Sequence, residues 1–217
     1  MFYNAFAYFR TVDFNFLVIE GNIGAGKTSF VNKFCERFNY RAVYEEFEDN
    51  PFLPKFYAEP EKYAFTVEMS FLADRFHQLN NEVHQRDMFS NGKVADYFLM
   101  KSLIFARSTL SKAEFNLYRD IFNIIYQRLT KPDLYVYLHK SPERLLENIR
   151  RRGRGYEKSI SPDYLKSIEK SYFTFFKQHP EIPVLILNTE NHDFVAHDED
   201  FDDLVNQIKN MLEKSAK

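Results

Sequence analysis

Short runs of apolar, β-branched and aromatic residues alternate along this chain with longer stretches whose apolar positions recur at helical spacing. The runs predict strands at Asn15–Glu20, Arg41–Glu45, Gly92–Tyr97, Asp133–His139 and Val184–Asn188. The stretches between them predict helices near Lys27–Phe38, Pro51–Ala58, Lys62–Arg86, Lys101–Leu110, Glu114–Leu129, Pro142–Arg151, Pro162–His179 and Asp200–Lys214. Ser141-Pro142 and Ser161-Pro162 read as N-caps followed by proline in the first helical turn, where its missing N–H costs nothing. Apolar strands alternating with helices predict an α/β fold: a five-stranded parallel sheet covered on both faces, with ligands at the carboxyl ends of its strands. The acidic stretch Asn191–Asp203 reads as a solvated turn leading to the last helix.

A length of 217 residues fits one domain, 1–217, with 1–13 as an N-terminal extension. The 24 Phe and 14 Tyr, with no Trp, predict an aromatic core and many stacking surfaces. A net charge of −2 argues against a nucleic-acid partner, whose binding face would be basic. The one cysteine, Cys35, sits beside Phe34 and Phe38 in the first helix and reads as a buried thiol. No apolar run approaches a membrane span, and Met1–Asp13 lacks the basic start and apolar stretch of a signal peptide, so a cytoplasmic protein is expected.

The first strand runs into Gly21-Asn22-Ile23-Gly24-Ala25-Gly26-Lys27-Thr28, and a helix starting Lys27-Thr28-Ser29 follows at once. Strand, Gly-x-x-x-x-Gly-Lys-Thr and helix in that order make a phosphate-binding loop. The glycines let several N–H groups converge on one anion, and the helix N-terminus adds partial positive charge. In such a loop Lys27 reaches the β- and γ-phosphates and the Thr28 hydroxyl sits on Mg²⁺. The motif implies binding of a nucleoside triphosphate.

Three further stretches bear on what is done with it. Tyr44-Glu45-Glu46-Phe47-Glu48-Asp49 places carboxylates after the second strand, either as a solvated acidic loop or with one of them as the general base for an attacking hydroxyl. Glu68 and Arg75, seven apart on a long helix among Phe65, Phe71, Leu72 and Phe76, are either a surface ion pair or the reader of a base's polar edge. Arg150-Arg151-Arg152-Gly153-Arg154 is either a solvated basic turn or, as favoured beside a phosphate loop, an arginine-rich lid at about 150–158.

With these stretches in view, the chain resembles the deoxynucleoside kinase family, within it the bacterial deoxyadenosine/deoxyguanosine kinase type. The likeness runs from the phosphate loop to about Phe194. It rests on that loop, Glu45-Glu46-Phe47-Glu48-Asp49-Asn50-Pro51-Phe52-Leu53, Tyr57 through Phe65, Leu117-Tyr118-Arg119, Arg152-Gly153-Arg154 with Glu157, and Asn188-Thr189 with Asp193-Phe194. The resemblance implies the P-loop kinase fold and transfer of the ATP γ-phosphate to the 5′-hydroxyl of a deoxynucleoside. It makes Glu45 the general base, Lys27 and the loop the holders of the phosphates, Thr28 and Asp96 the Mg²⁺ ligands, and Arg152 and Arg154 the lid arginines. It implies Tyr57 and Glu157 for the sugar 3′-hydroxyl, Leu53, Glu68, Phe71 and Arg75 for the nucleoside, and residues 189–194 for the adenine of ATP. Homodimer formation through the aromatic helices 62–86 and 101–129 is expected, with no membrane partner.

Three places depart from the family pattern. Where the family has Asp/Glu-Arg-Ser at the end of the third strand, this chain has Asp96-Tyr97-Phe98 in a segment one residue shorter, and Lys101, Arg107 and Arg150 are candidates for the missing charge. A lid position commonly held by arginine is Asn148. Glu68 itself falls where the family carries glutamine. An ionised carboxylate only accepts, which suits the N1–H and N2–H₂ of guanine; pairing with Arg75 or protonation reverses that logic. The implied substrate is a purine deoxynucleoside, deoxyadenosine or deoxyguanosine. The alternatives are a nucleoside monophosphate kinase, from the Asp74-Arg75-Phe76 element, and a nucleotide-binding regulatory protein without turnover, from the missing arginine.

Overall fold

The computed structural model describes residues 14–46, 50–84, 88–157 and 160–215. The expected N-terminal extension 1–13 and the carboxylates Glu48 and Asp49 lie outside the described residues. The chain runs β1 (Phe16–Gly21), α1 (Lys27–Phe38), β2 (Arg41–Val43), α2 (Leu53–Ala58), α3 (Pro60–His84), β3 (Lys93–Ala95), α4 (Met100–Thr109), α5 (Lys112–Tyr126) and β4 (Leu134–His139). It continues through α6 (Pro142–Arg152), a 3₁₀ turn (Gly155–Glu157), α7 (Pro162–Gln178), β5 (Val184–Asn188) and α8 (Asp198–Ser215). All five strands are parallel, in the order β2-β3-β1-β4-β5.

Alternation along β1 and β4 divides the core in two. Leu17, Ile19, Leu134, Val136 and Leu138 face α1, α6 and α8. Phe16, Val18, Tyr135 and Tyr137 face α3, α4, α5 and α7. Both sides are apolar because a central parallel strand is covered on both faces. Phe30 meets Phe201 at 5.2 Å on one side, and Tyr137 meets Tyr172 at 4.9 Å on the other. Cys35 is buried in the first of these layers, and burial pushes its thiol up to about 12.

The structure corrects several sequence-based boundaries. β2 stops at Val43, not Glu45, because the Glu45 amide donates to the Asp96 carboxylate (2.9 Å) instead of a neighbouring strand. α5 starts at Lys112 because Ser111 caps it: its hydroxyl accepts from the Glu114 amide while the Glu114 carboxylate accepts from the Ser111 amide, a capping box. The caps expected at Ser141 and Ser161 are formed, each hydroxyl accepting from the amide three residues on. The acidic stretch Asn191–Asp203 is not simply a solvated turn, because α8 starts within it at Asp198. Asp198 pairs with Lys33 at 2.8 Å and Asp202 with Arg37 at 2.9 Å, because α8 lies against α1. Among the described residues no helix is long and apolar enough to cross a membrane.

Candidate active site

Gly21 closes β1 and Lys27 opens α1, and the backbone between them curls through glycines. Gly26 has φ 90°, a left-handed conformation that side chains resist, and a Cβ there would meet the Phe194 ring at 2.9 Å. The first turn of α1 has no side-chain cap, so its amides remain open to an anion. Asn148 of α6 donates to the Gly24 carbonyl at 2.8 Å and braces the loop. The Asn22 side chain ties the loop to α7: its Oδ1 accepts from the Ile23 amide and its Nδ2 donates to the Leu165 carbonyl, both at 2.8 Å. The Lys27 ammonium donates to the carbonyls of Gly21 and Asn22, both at 2.9 Å; burial, and then the neighbouring Lys101, pull it down to about 8.

Two cavities meet at this loop. One, of about 1000 Å³, is lined by Leu53, Phe71 and Asp96 and reaches from Glu45 to Glu68. The other, of about 420 Å³, runs over Ala25, Gly26 and Ser29 to Lys140, Asp193 and Phe194. Both include Gly24, Lys27, Thr28, Arg152 and Arg154. Phosphate loop and lid thus stand where the cavities join. Ile23 lines the larger one.

Glu45 stands just past β2 with its side chain 9% exposed. Its carboxylate lies between two cations. Arg75 of α3 donates through Nε at 2.8 Å, its Nη2 lies 2.7 Å from the same oxygen, and Lys101 of α4 makes a second ion pair. Burial raises a carboxyl, but these two cations outweigh it and hold Glu45 down to about 2. Of the three cations the sequence offers in place of the missing arginine, Lys101 is the one on Glu45. Tyr97 and Phe98, which occupy the arginine and serine positions, are fully buried. Glu46 is exposed and lines the same cavity.

The Thr28 hydroxyl donates to Asp96 at 2.5 Å, and Asp96 is buried at the end of β3. Below them Glu20, fully buried, accepts from the Phe98 amide at 3.0 Å and the Tyr172 hydroxyl at 2.9 Å. A hydroxyl and a carboxylate are hard oxygen donors that fit Mg²⁺, whose remaining positions in such sites are phosphate oxygens and water.

Glu68 and Arg75 are not a surface pair. Both are buried, because α4 and α5 pack over this face of α3. Arg75 Nη1 also donates to Ser102 at 2.7 Å, and the Thr109 hydroxyl donates to Glu68 at 2.8 Å. Arg75, which motivated the monophosphate-kinase alternative, is thereby committed to Glu45 and Ser102. Phe71 lies 4.9 Å from the Arg75 guanidinium, on the cavity wall. The side chain of Tyr57 lies outside the described residues.

Gly153 ends α6 in a left-handed turn, φ 75°, and Arg152, Arg154 and Glu157 line the larger cavity. Arg152 holds Glu157 in bidentate fashion, Nε at 3.1 Å, and Arg154 lies 3.8 Å from the same carboxylate. In the second cavity Phe194 packs edge-on against Phe30 at 5.5 Å, and the Asp193 carboxylate accepts from the Ala196 amide at 3.2 Å. Lys140, which sequence reading missed, donates to the Thr189 carbonyl there. Ser102 and Thr109 were missed too, because nothing in their local sequence marks which way α4 turns.

Fold and site together define a P-loop phosphotransferase. The family model of deoxynucleoside kinases matches residues 17–213, and the chain belongs to that family. A deoxyguanosine kinase of Bacillus subtilis is 34% identical over 201 residues, covering 91% of this chain and 97% of its own. A deoxyadenosine kinase of Lactobacillus acidophilus is 28% identical, covering 83% and 88%. The deoxyadenosine kinase from M. mycoides solved with bound dCTP superposes with a TM-score of 0.75 at 23% identity, over 90% of this chain and 99% of that one, and shares the fold. The protein is a deoxynucleoside kinase, an ATP-dependent phosphotransferase.

Proposed function

We propose that this kinase transfers the γ-phosphate of ATP to the 5′-hydroxyl of a purine deoxynucleoside. The observation that carries the reading is the junction of the two cavities. The acceptor cavity holds Glu45 near the loop and Glu68 with Arg75 farther in, and the donor cavity follows the phosphate loop to Phe194. The relatives named for deoxyguanosine and deoxyadenosine support a purine acceptor.

In this reading Glu45 takes the 5′-hydroxyl proton, Lys27 and the loop amides hold the β- and γ-phosphates, and Arg152 and Arg154 close on the migrating group. Thr28 and Asp96 hold Mg²⁺, which neutralises phosphate charge when bound. A carboxylate held down to about 2 is a weak base. Lys101 resolves this: drawn from Glu45 towards the γ-phosphate, it leaves the carboxylate more basic as the acceptor is attacked. Glu157, already between the lid arginines, is placed to accept from the sugar 3′-hydroxyl as the lid closes. Leu117 and Ile124, exposed two turns apart on α5, support pairing of two copies through that helix, which sedimentation would test.

Incubation with ATP–Mg²⁺ and each of the four deoxynucleosides, with monophosphate measured, tests the proposal. Turnover of the purine nucleosides well above the pyrimidine ones is expected. Product from a monophosphate but from no nucleoside would overturn it.

A further inference from the structure

Glu68 is a carboxyl group in the wall of the acceptor cavity, 4% exposed and without a cation of its own among the described residues. The groups around it are committed elsewhere. Arg75, two turns along α3, gives its guanidinium to Glu45 and Ser102. Lys101 of α4 is paired with Glu45. From α5, the Tyr118 hydroxyl donates to the Glu68 backbone carbonyl at 3.4 Å and not to the carboxyl. From α2, the Lys55 ammonium lies over the Phe52 and Tyr63 rings, at 5.9 and 6.0 Å. Across the cavity, Arg152 and Arg154 are turned to Glu157. The one side chain bonded to the Glu68 carboxyl among the described residues is Thr109 of α4.

Thr109 suits both protonation states of that carboxyl. Its oxygen lies 2.8 Å from Glu68 Oε1 and 3.1 Å from the Phe105 carbonyl one turn back along α4. A hydroxyl has one proton to give. With Glu68 ionised, Thr109 donates to it. With Glu68 protonated on Oε2, Thr109 still donates to Oε1, and the Oε2–H and the second lone pair of Oε1 stay free for a base. Neither state strands a buried donor.

The two states present opposite faces to a base. The ionised group offers two acceptors, which match the N1–H and N2–H₂ of guanine. The protonated group offers one donor and one acceptor side by side, as a carboxamide does, which match the N1 acceptor and N6–H₂ donor of adenine. Resting on the purine-kinase reading above, we propose that the protonation state of Glu68 selects the base: deoxyguanosine when it is ionised, deoxyadenosine when it is protonated. The switch falls in an accessible range, because burial pushes the Glu68 carboxyl up to about 7 against the opposing pull of the Thr109 hydrogen bond and the charge of Arg75.

The test is the ratio of kcat/KM for deoxyguanosine to that for deoxyadenosine, measured with ATP–Mg²⁺ from about pH 5.5 to 8.5, the range in which a carboxyl raised by burial titrates. Titrations of the reaction machinery cancel in this ratio. It should rise with pH by about tenfold or more, the scale of one mismatched buried hydrogen bond. In Glu68→Gln the ratio should be flat and should favour deoxyadenosine. In Thr109→Val the rise should persist with its midpoint moved to higher pH, because the hydrogen bond favouring the ionised form is gone. A flat wild-type ratio with both nucleosides turned over overturns this inference alone, as does a pH-dependent ratio in Glu68→Gln. Turnover of neither purine nucleoside at any pH overturns the purine reading and takes this inference with it.

Discussion

Lys101 of α4 and Glu45, just past β2, form an ion pair whose side chains are 12% and 9% exposed, 56 residues apart in sequence. The carboxylate is shared with Arg75, so Glu45 carries two cations where one would neutralise it. An excess positive charge beside the phosphate loop suits a transferring phosphoryl group better than it suits the resting carboxylate. Lys101→Met is therefore expected to lower kcat by about a hundredfold, the scale of losing one transition-state donor, with little change in nucleoside KM. Lys101→Arg should recover part of the loss. Steady-state kinetics decides, and an unchanged kcat in Lys101→Met would remove Lys101 from the reaction.

Glu45→Gln should keep ATP binding and cut turnover by at least about a hundredfold, the usual contribution of a general base. It also leaves Arg75 and Lys101 facing a neutral group, so the melting temperature of the ligand-free variant should fall. Turnover within a few-fold of wild type would require another base.

Arg154→Ala should reduce kcat far more than it raises KM for either substrate, because a lid arginine acts on charge that develops as the phosphoryl group moves. A pure rise in KM would make Arg154 a binding residue only.

Asn148→Ala removes the hydrogen bond to the Gly24 carbonyl. A lost bond of about 1 kcal/mol corresponds to roughly fivefold in an equilibrium constant, so ATP should bind about fivefold more weakly while nucleoside binding is unaffected. Separate titrations with each ligand check this, and equal weakening of both would contradict a local brace.

The carboxyl of Glu68 also links stability to pH. Its folded-state value, about 7, lies above the ordinary 4.5, so the folded chain binds the proton more tightly than the unfolded chain. That contribution is complete below the unfolded value and is lost as pH rises through the folded one. Glu68→Gln should therefore gain stability over wild type by up to about 3 kcal/mol as pH rises from about 4.5 to 8. Urea unfolding of both proteins across that range measures it, and a constant difference would refute the assignment.

The strands and the phosphate loop are legible because their information is local: a run of apolar residues, a glycine spacing, a helix start. β2 and β3 are shorter than their apolar runs because the Asp96 side chain takes over the hydrogen bond of the Glu45 amide, a contact between residues 51 apart. Glu68 and Arg75 read equally as surface charges, since only the packing of α4 and α5 on α3 buries them. Ser102, Thr109 and Lys101 lie on a helix of weak amphipathic character, so its sequence gives little sign of which side faces the nucleoside. Asn22 belongs to the loop motif, yet its side-chain amide nitrogen goes to the Leu165 carbonyl, 143 residues away.

Helix α4 begins directly after three fully buried residues, Tyr97, Phe98 and Leu99, and its own first residue, Met100, is fully buried as well. From this anchored base it reaches Glu45 through Lys101, Arg75 through Ser102 and Glu68 through Thr109. Lys101 and Thr109 are separated by about 12 Å of helical rise. In the proposed reading one rod therefore gauges an acceptor at both ends, at its reacting hydroxyl and at its base. A nucleoside of the wrong length cannot be accommodated by sliding α4. Slack must come from α3 or the lid, and a misfit at the base is carried straight to the atom that has to react.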